Sequence, residues 1–428
     1  RCQQMKTIIQ YELKKIFQNK LFIGAFVICL AAMIALSSIA VYQYNAGTRG
    51  HFDMTLMKRE KAPEVFVSND TIEELRKAVD DFESRDDIYY ESHEEQLKDY
   101  VDGGTVFWGK YDINVSDLFF KLETGEITEA EFDSLMSNAP KVSIKKQYIP
   151  EYIKLCWSVK DYENLERNIE REEYYANSTE ETQYYRDYNA FLAKQHRELL
   201  EKGFISGYDY GWENFYSILS QDVGIFLAII IIFGICNVFT AEYSLSVDAF
   251  LLSSKKGRGT LVSGKIISSL IYTVICFVVY VLLALIISFI FLGTEGINVG
   301  QGESHLTKLL SVIPFILVGC ISLCVITLAV SAFCKKQITS IAVSSLVCLL
   351  PFFSQFIGYN GNQYISQLIE IMPVSMVFGS YITGYPRYAY FDGTFIDIRY
   401  LFPLVALSVA IVCLPLIYKR YTSHQVSN

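Results

Sequence analysis

Histidine is scarce in this chain. Five occur in 428 residues, at positions 51, 93, 196, 305 and 424, and none lies in a long apolar run. No HExxH or GxSxG pattern is present either. Hydrolysis within a membrane needs a histidine, paired acids or an activated serine at membrane depth. Covalent and metal-assisted chemistry are therefore set aside, with no catalytic and no metal-binding residue assigned. The 10 cysteines lack a disulfide pattern, because only Cys156 falls in the polar block 43–220. Cys320 and Cys324 share a helix face, but no His or carboxylate accompanies them, which suits packing rather than metal.

Two motifs come close and fail. Gly259-Thr-Leu-Val-Ser-Gly264-Lys265 has the glycines and lysine of a phosphate-binding loop, but Ile266 stands where a magnesium-ligating Ser or Thr is required. No buried strand precedes it, so nucleotide binding by this chain is rejected. Gly125 to Glu131 imitates the end of a calcium loop, yet Phe120, Leu122 and Thr124 occupy its first ligand positions. Asn69, Asn114 and Asn177 open formal glycosylation tripeptides, a chance-level match in a polar block of this size.

Half of the chain is hydrophobic, concentrated in long runs, which places it among polytopic membrane proteins. The net charge of −9 hides a division. Residues 43–220 hold 21 Lys and Arg against 37 Asp and Glu, whereas the remainder holds 16 against 9. An acidic, water-facing domain is joined to a basic, apolar one.

Met5 reads as a natural start, with Arg1–Gln4 before it. In 5–20, Ile9, Leu13, Ile16 and Phe17 form a stripe ringed by Lys6, Lys14, Lys15 and Lys20, the pattern of an amphipathic helix on an anionic inner membrane surface. Six apolar runs are long enough to span: 21–42, 223–240, 266–292, 309–333, 338–357 and 400–418. With the N-terminus in the cytosol, inner segments carry 13 Lys and Arg against 3 acids, and short outer ones 3 against 6. That bias places 43–220 outside and the tail 419–428 inside. The expected fold is an all-α polytopic membrane protein: six transmembrane helices, an N-terminal interfacial helix and a mostly helical extracellular domain between the first two spans.

Within that domain, 71–100 and 160–202 each read as a long surface helix. Thr128 and Glu131 form a capping box for a further helix, and small strands near 105–113 stay open. Its acidic face is dense in tyrosine (Tyr174, Tyr175, Tyr184, Tyr185), suited to a cationic amphiphilic peptide or simply to capping the pathway. Residues 358–399 are broken by Gly and Pro. Around Pro373, with Met376 and Phe378, the chain has the composition of a re-entrant pair of half-helices, or of a plain outer loop.

The segment 241–265 organises the rest. Tyr243, Val247, Phe250 and Leu251 recur at helical spacing, and Lys255, Lys256, Gly257, Arg258 and Gly259 make a basic turn. A short amphipathic helix slung between two spans is shaped for a cytosolic partner; the alternative is a loop whose basic residues only fix topology. Asp222 and Glu242 bracket the second span, as interfacial anchors or as something more. Glu242 lies at a helix C-terminus, where a carboxylate is disfavoured unless a Lys or Arg from the N-terminal helix or the following loop compensates. Asn237 needs a helix or lumen partner.

Glu242, Leu251-Leu252-Ser253-Ser254, Lys255–Arg258 and Lys265, in this setting of spans, resemble the membrane subunit of ABC transporters of the type-2 permease (drug-exporter-like) family. Ser246 and Lys256 depart from that pattern where Gly and Pro are frequent. The resemblance implies a multi-pass cell-membrane protein, paired with a second permease copy or a related permease. Two cytosolic ATPases would grip 243–258 and carry ATP and magnesium; no cofactor belongs to this chain, and no nucleic acid is a partner. It further implies an outer gate after the fifth span and export of a peptide, antibiotic or other amphiphile, as in Gram-positive bacteria resisting antimicrobial peptides. Two alternatives stand beside it: a four-span mechanotransmission-type ABC subunit, and a non-transporting sensor or scaffold whose extracellular domain binds a ligand.

Overall fold

The computed structural model describes residues 2–46, 64–89, 121–122, 126–137, 150–179, 181–219, 221–244, 258–360, 371–378, 388–391 and 394–422. Helix α1 (Cys2–Phe17) ends in a tight turn, and α2 (Lys20–Ala46) follows at once. The Asn19 side chain caps that second start by accepting from the Leu21 backbone N–H at 3.0 Å. Part of the α1 stripe turns away from solvent and lipid: Ile16 and Glu12 are buried, while Tyr11 and Phe17 remain exposed.

The polar unit comprises Tyr42–Tyr210 together with Thr294–His305. Strand β1 (Val65–Val67) leads to α3 (Ile72–Glu83) and a 3₁₀ turn at Asp86–Ile88. The expected helix over 71–100 therefore stops at Glu83, where Ser84 donates from its N–H to the Asp80 carbonyl at 3.0 Å and from its hydroxyl to the Asp81 carbonyl at 2.6 Å. After α4 (Glu129–Ser137) come α5 (Pro150–Ala176) and α6 (Gln183–Lys202). The expected single helix over 160–202 is thus two. Thr182 supplies the reason: its hydroxyl accepts from the Tyr185 N–H at 3.3 Å and starts α6 afresh. Strand β2 (Phe204–Ser206) pairs antiparallel with β1, Val65 opposite Ser206.

Val67, Ile72, Tyr162, Leu165, Leu200 and Phe204 form the core of this unit. Each such buried side chain is worth about 1.5–3 kcal/mol of transfer free energy. The expected capping box forms: Thr128 N–H donates to Glu131 at 2.9 Å, and Glu131 N–H to Thr128 Oγ1 at 3.2 Å. The Thr128 N–H and the Thr128 hydroxyl, which also donates to the carboxylate at 2.9 Å, hold the Glu131 carboxyl below its ordinary range. Residues 105–113 lie outside the described residues. The segment 294–305 joins the unit through Gly300 N–H to Ile205 O at 3.0 Å and an Asp209–His305 pair at 2.7 Å.

The apolar unit comprises Arg1–Val41, Gly211–Gly293 and Leu306–Asn428. It takes in α7 (Tyr210–Leu219) from Gly211 onward, a stretch expected in the polar block. Composition explains the difference, since Trp212, Phe215, Ile218 and Leu219 are all buried and Trp212 packs edge-on against Phe289. Then follow α8 (Gln221–Ile235), α9 (Asn237–Ser244), α10 (Arg258–Leu292), α11 (His305–Phe333) and α12 (Gln337–Asn360). A buried 3₁₀ segment (Pro373–Phe378), a hairpin of β3 (Tyr388–Phe391) and β4 (Thr394–Asp397), and α13 (Ile398–Thr422) complete the chain.

Among the described residues, five helical stretches are long and apolar enough to cross a membrane: Lys20–Ile39, Tyr210–Tyr243, Gly259–Leu292, His305–Phe333 and Ile398–Tyr421. The expected span 338–357 falls within α12, a 24-residue helix whose stretch Gln337–Leu350 is apolar. Helix α10 starts at Arg258, so Arg258 and Lys265 stand in its first turns rather than in a turn before it.

Candidate functional site

The second span does not run through as one helix. It divides at Cys236, between α8 and the short α9. Ser331 on α11 holds the break: its hydroxyl accepts from the Phe239 N–H at 3.2 Å and donates to the Cys236 carbonyl at 2.9 Å. A backbone interruption inside an apolar run survives only if its freed polar groups find partners in protein. Ser331 and Thr240, whose hydroxyl reaches the same carbonyl at 2.9 Å, are those partners. On the α8 side, Gly234 lets the Tyr272 ring lie directly on the helix backbone; a side chain there would collide with its hydroxyl end. The Tyr272 hydroxyl donates to the Ile230 carbonyl at 2.7 Å.

Helix α9 carries Glu242 into a buried ionic cluster. The Lys265 ammonium, 0% exposed, donates to Glu12 at 3.1 Å, to Glu242 at 2.7 Å and to the Val238 carbonyl at 2.9 Å. Three partners use all three of its protons. Glu12 and Glu242 are themselves only 3% and 5% exposed. The Tyr421 hydroxyl on α13 donates to the other Glu242 oxygen at 2.5 Å, and its ring packs on Phe239. Lys15 stands 3.9 Å from Glu242 and is 31% exposed. Burial, helped by the neighbouring Lys265 charge, lowers the Lys15 amine below the usual lysine range against the pull of Glu12 and Glu242.

Two carboxylates and two ammoniums thus meet from α1, α9 and α10, with a phenol from α13 closing the group. The compensation expected for Glu242 comes from both anticipated sources, Lys15 of the N-terminal helix and Lys265 beyond the loop. Glu12 and Tyr421 were not anticipated. Glu12 lies on the α1 stripe only by helical spacing, and no local signal marks Tyr421. Tyr243 extends the same helix end and donates to the Ala332 carbonyl at 3.3 Å. Asn237 meets Thr240 on its own helix at 3.4 Å, so its partner is local rather than lumenal.

Of the other expected coupling residues, Val247, Phe250, Leu251, Ser253, Ser254, Lys255 and Lys256 lie outside the described residues. Arg258 is placed in the first turn of α10.

The 3₁₀ segment enters the bundle from elsewhere. Pro373, Met376 and Phe378 are all buried there. A methyl group on Gly319 of α11 would stand 2.6 Å from Met376 Cβ and from the Val377 nitrogen. One on Gly224 of α8 would stand 3.1 Å from the Val377 carbonyl. Within the described residues it is a buried 3₁₀ turn packed against α8 and α11, where a pair of half-helices was expected. Asp222 is the second residue of α8, near Gly224 and at the opposite end of that span from Glu242.

No described group of three or more His, Cys, Asp or Glu side chains is arranged to hold a metal. No curated protein matches the chain. A family model described as ABC-2 family transporter protein matches residues 6–383, which include most of α1, the divided second span, the ionic cluster except Tyr421, and the buried 3₁₀ turn. The chain therefore belongs to the ABC-2 transporter family, as a multi-pass membrane permease of the ABC-2 type.

Proposed function

We propose that this chain is the permease of an ATP-driven exporter, working as a pair with a second copy or a related permease. Two cytosolic ATPases, which bind ATP and magnesium, engage residues 245–257. One observation carries the reading. The short helix α9, set off from α8 by the break at Cys236, is tied by a single buried ammonium to α1 and α10 and runs directly into 245–257. A push on that segment reaches α9 first. Because the Lys265 cluster is buried and close-packed, α1, α9 and α10 move together, and α8 swings about Cys236.

The charge bias supports a cytosolic position for this end, for both termini and for 419–428, with 43–210 outside. Counting α12 among them gives six spans. Five long apolar helices already exceed the four of a mechanotransmission subunit. The buried 3₁₀ turn at Pro373–Phe378, packed against Gly224 and Gly319, serves as the outer gate, and the cargo is a peptide, antibiotic or other amphiphile.

The test is affinity capture of the full chain from its native membrane, followed by ATP turnover. A cytosolic ATPase is expected to co-purify. Charge reversal at Lys255, Lys256 and Arg258, or Phe250→Asp, is expected to abolish cargo-stimulated turnover without changing the melting temperature of the permease. Capture of no ATPase would favour a sensor or scaffold, and unaltered stimulation in the variants would remove 245–257 as the coupling segment.

A further inference from the structure

Helices α5 and α6 form an antiparallel arm whose tip, where Ala176 ends α5 and Thr182 caps α6, is remote from the strand pair at its base. At 1.5 Å per residue, the 20 residues of α6 put about 30 Å between the tip and β2. The arm is built to be stiff. His196 meets the buried Glu172 at 2.9 Å, Arg197 pairs with Glu173, and Arg76 of α3 reaches Glu166 at 3.2 Å near the base.

The tip of this arm is tyrosine. Tyr174, Tyr175 and Tyr185 make a continuous edge-to-face ladder, with centroid separations of 5.5 and 5.7 Å. Tyr184 and Tyr188 stack at 6.0 Å on the adjoining face of α6. Tyr174 is 72% exposed and Tyr185 37%, a large apolar area left in water at the end of a rigid lever. Tyrosine presents such area at low entropic cost and is enriched where proteins bind other molecules.

Charge selects the occupant. The arm from Pro150 to Lys202 holds 12 Asp and Glu against 8 Lys and Arg, and the whole segment 43–220 holds 37 against 21. An anionic field surrounding π-faces repels acidic polymers and attracts cations. The same unit already uses that chemistry internally, where Arg76 lies 5.6 Å from the Tyr162 ring centre and Arg85 4.6 Å from that of Phe82. We propose that the Tyr174–Tyr175–Tyr185 ladder is the docking surface for a cationic amphiphilic peptide. Lysine or arginine side chains lie over the exposed rings, and apolar residues lie along their edges.

This deepens the export reading by giving the cargo a charge, but its test is independent of the motor. The full chain in nanodiscs of zwitterionic lipid is titrated, without any ATPase, with a synthetic amphipathic helix bearing six lysines. The same helix bearing six glutamates is titrated in parallel. Saturable binding of the cationic helix is expected, weakening as salt rises and lost for the anionic one. Tyr174→Ala with Tyr185→Ala is expected to weaken it about tenfold, whereas Tyr174→Phe with Tyr185→Phe keeps it within about threefold. Circular dichroism checks that α5 and α6 remain helical in each variant. Equal affinity of wild type and the alanine pair, or equal binding of both helices, would overturn the proposal. Failure here with intact ATPase coupling would leave the permease reading standing.

Discussion

Replacing Lys265 by methionine removes one ammonium and strands two carboxylates. Glu12 and Glu242 then face each other at 3% and 5% exposure, with only the half-buried Lys15 nearby, 3.9 Å from Glu242. Breaking a buried ion pair by deleting one partner costs about 3–5 kcal/mol, because the survivor stays desolvated and uncompensated. Unfolding entropy scales as roughly 2 cal/mol/K per residue, so over a chain of this length the melting temperature falls by about 3–6 °C. The assay is thermal unfolding of the purified chain in one detergent at pH 7.5, together with the variant Glu12→Gln, Glu242→Gln, Lys265→Met. That triple change removes every buried charge in the set except the partly solvated Lys15. It is expected to recover most of the loss, since a fully neutral replacement leaves nothing unpaired. A Lys265→Met chain that melts like wild type would mean that water reaches the cluster. A triple variant as weak as the single one would mean that the lysine acts through packing on Phe239, whose ring centre is 5.6 Å from its nitrogen. Either result refutes the electrostatic lock.

Gly319→Ala should drive the Met376–Val377 backbone out of its seat, because the added carbon would stand 2.6 Å from it. Lowered stability and increased labelling of a cysteine placed at Ser375 are the expected readouts, and unchanged labelling would contradict the tight seating. Ser331→Ala removes both hydrogen bonds across the Cys236 break. It should cost about 1–3 kcal/mol, seen as faster hydrogen exchange in 237–244 than in 221–235, and uniform exchange across both would count against a hinge. Lys15 offers a test of sign. Its folded pKa lies below the unfolded value, so the unfolded chain binds more protons between the two. Its contribution is fully present above the ordinary lysine pKa of about 10.4 and is lost as pH falls through the lowered value. The melting temperature of wild type should gain slightly on Lys15→Met as pH rises toward 10, and a gain for Lys15→Met instead would reverse the assignment.

The apolar runs were legible because a membrane span leaves few ways to arrange a backbone. Their interruptions were less legible, for two different reasons. The break at Cys236 is fixed by Ser331, a residue 95 positions away, and no window of sequence around 236 contains that information. The break between α5 and α6 was written locally, in Asn177-Ser178-Thr179 and the Thr182 cap, but in hydroxyl and amide residues rather than Gly or Pro. The hairpin at 388–397 was also locally written. Alternating Tyr388-Ala-Tyr-Phe and Thr394-Phe-Ile-Asp flank Asp392-Gly393, a strong two-residue hairpin signal that the breakers around it disguised.

Lys265 shows where local reading reaches its limit. At the mouth of a span, a lysine is ordinarily an interfacial anchor that extends its charge toward water. Here the α1 helix covers that exit. Gly264, beside it, meets Ile8 so closely that a methyl group would collide, and this approach brings Glu12 over the ammonium from 253 positions earlier in the chain. A surface lysine would gain at most about 1 kcal/mol from such a partner. Full burial raises the cost of losing the partner several-fold, so the same residue type becomes a latch. The amphipathic N-terminal helix is therefore more than a membrane tether: its one buried acid makes the position of α9 depend on α1. Any motor acting on 245–257 must either carry α1 along or break the Glu12–Lys265 contact. Those alternatives separate cleanly in a Glu12→Gln chain, in which the first predicts weakened coupling and the second predicts easier movement and faster turnover.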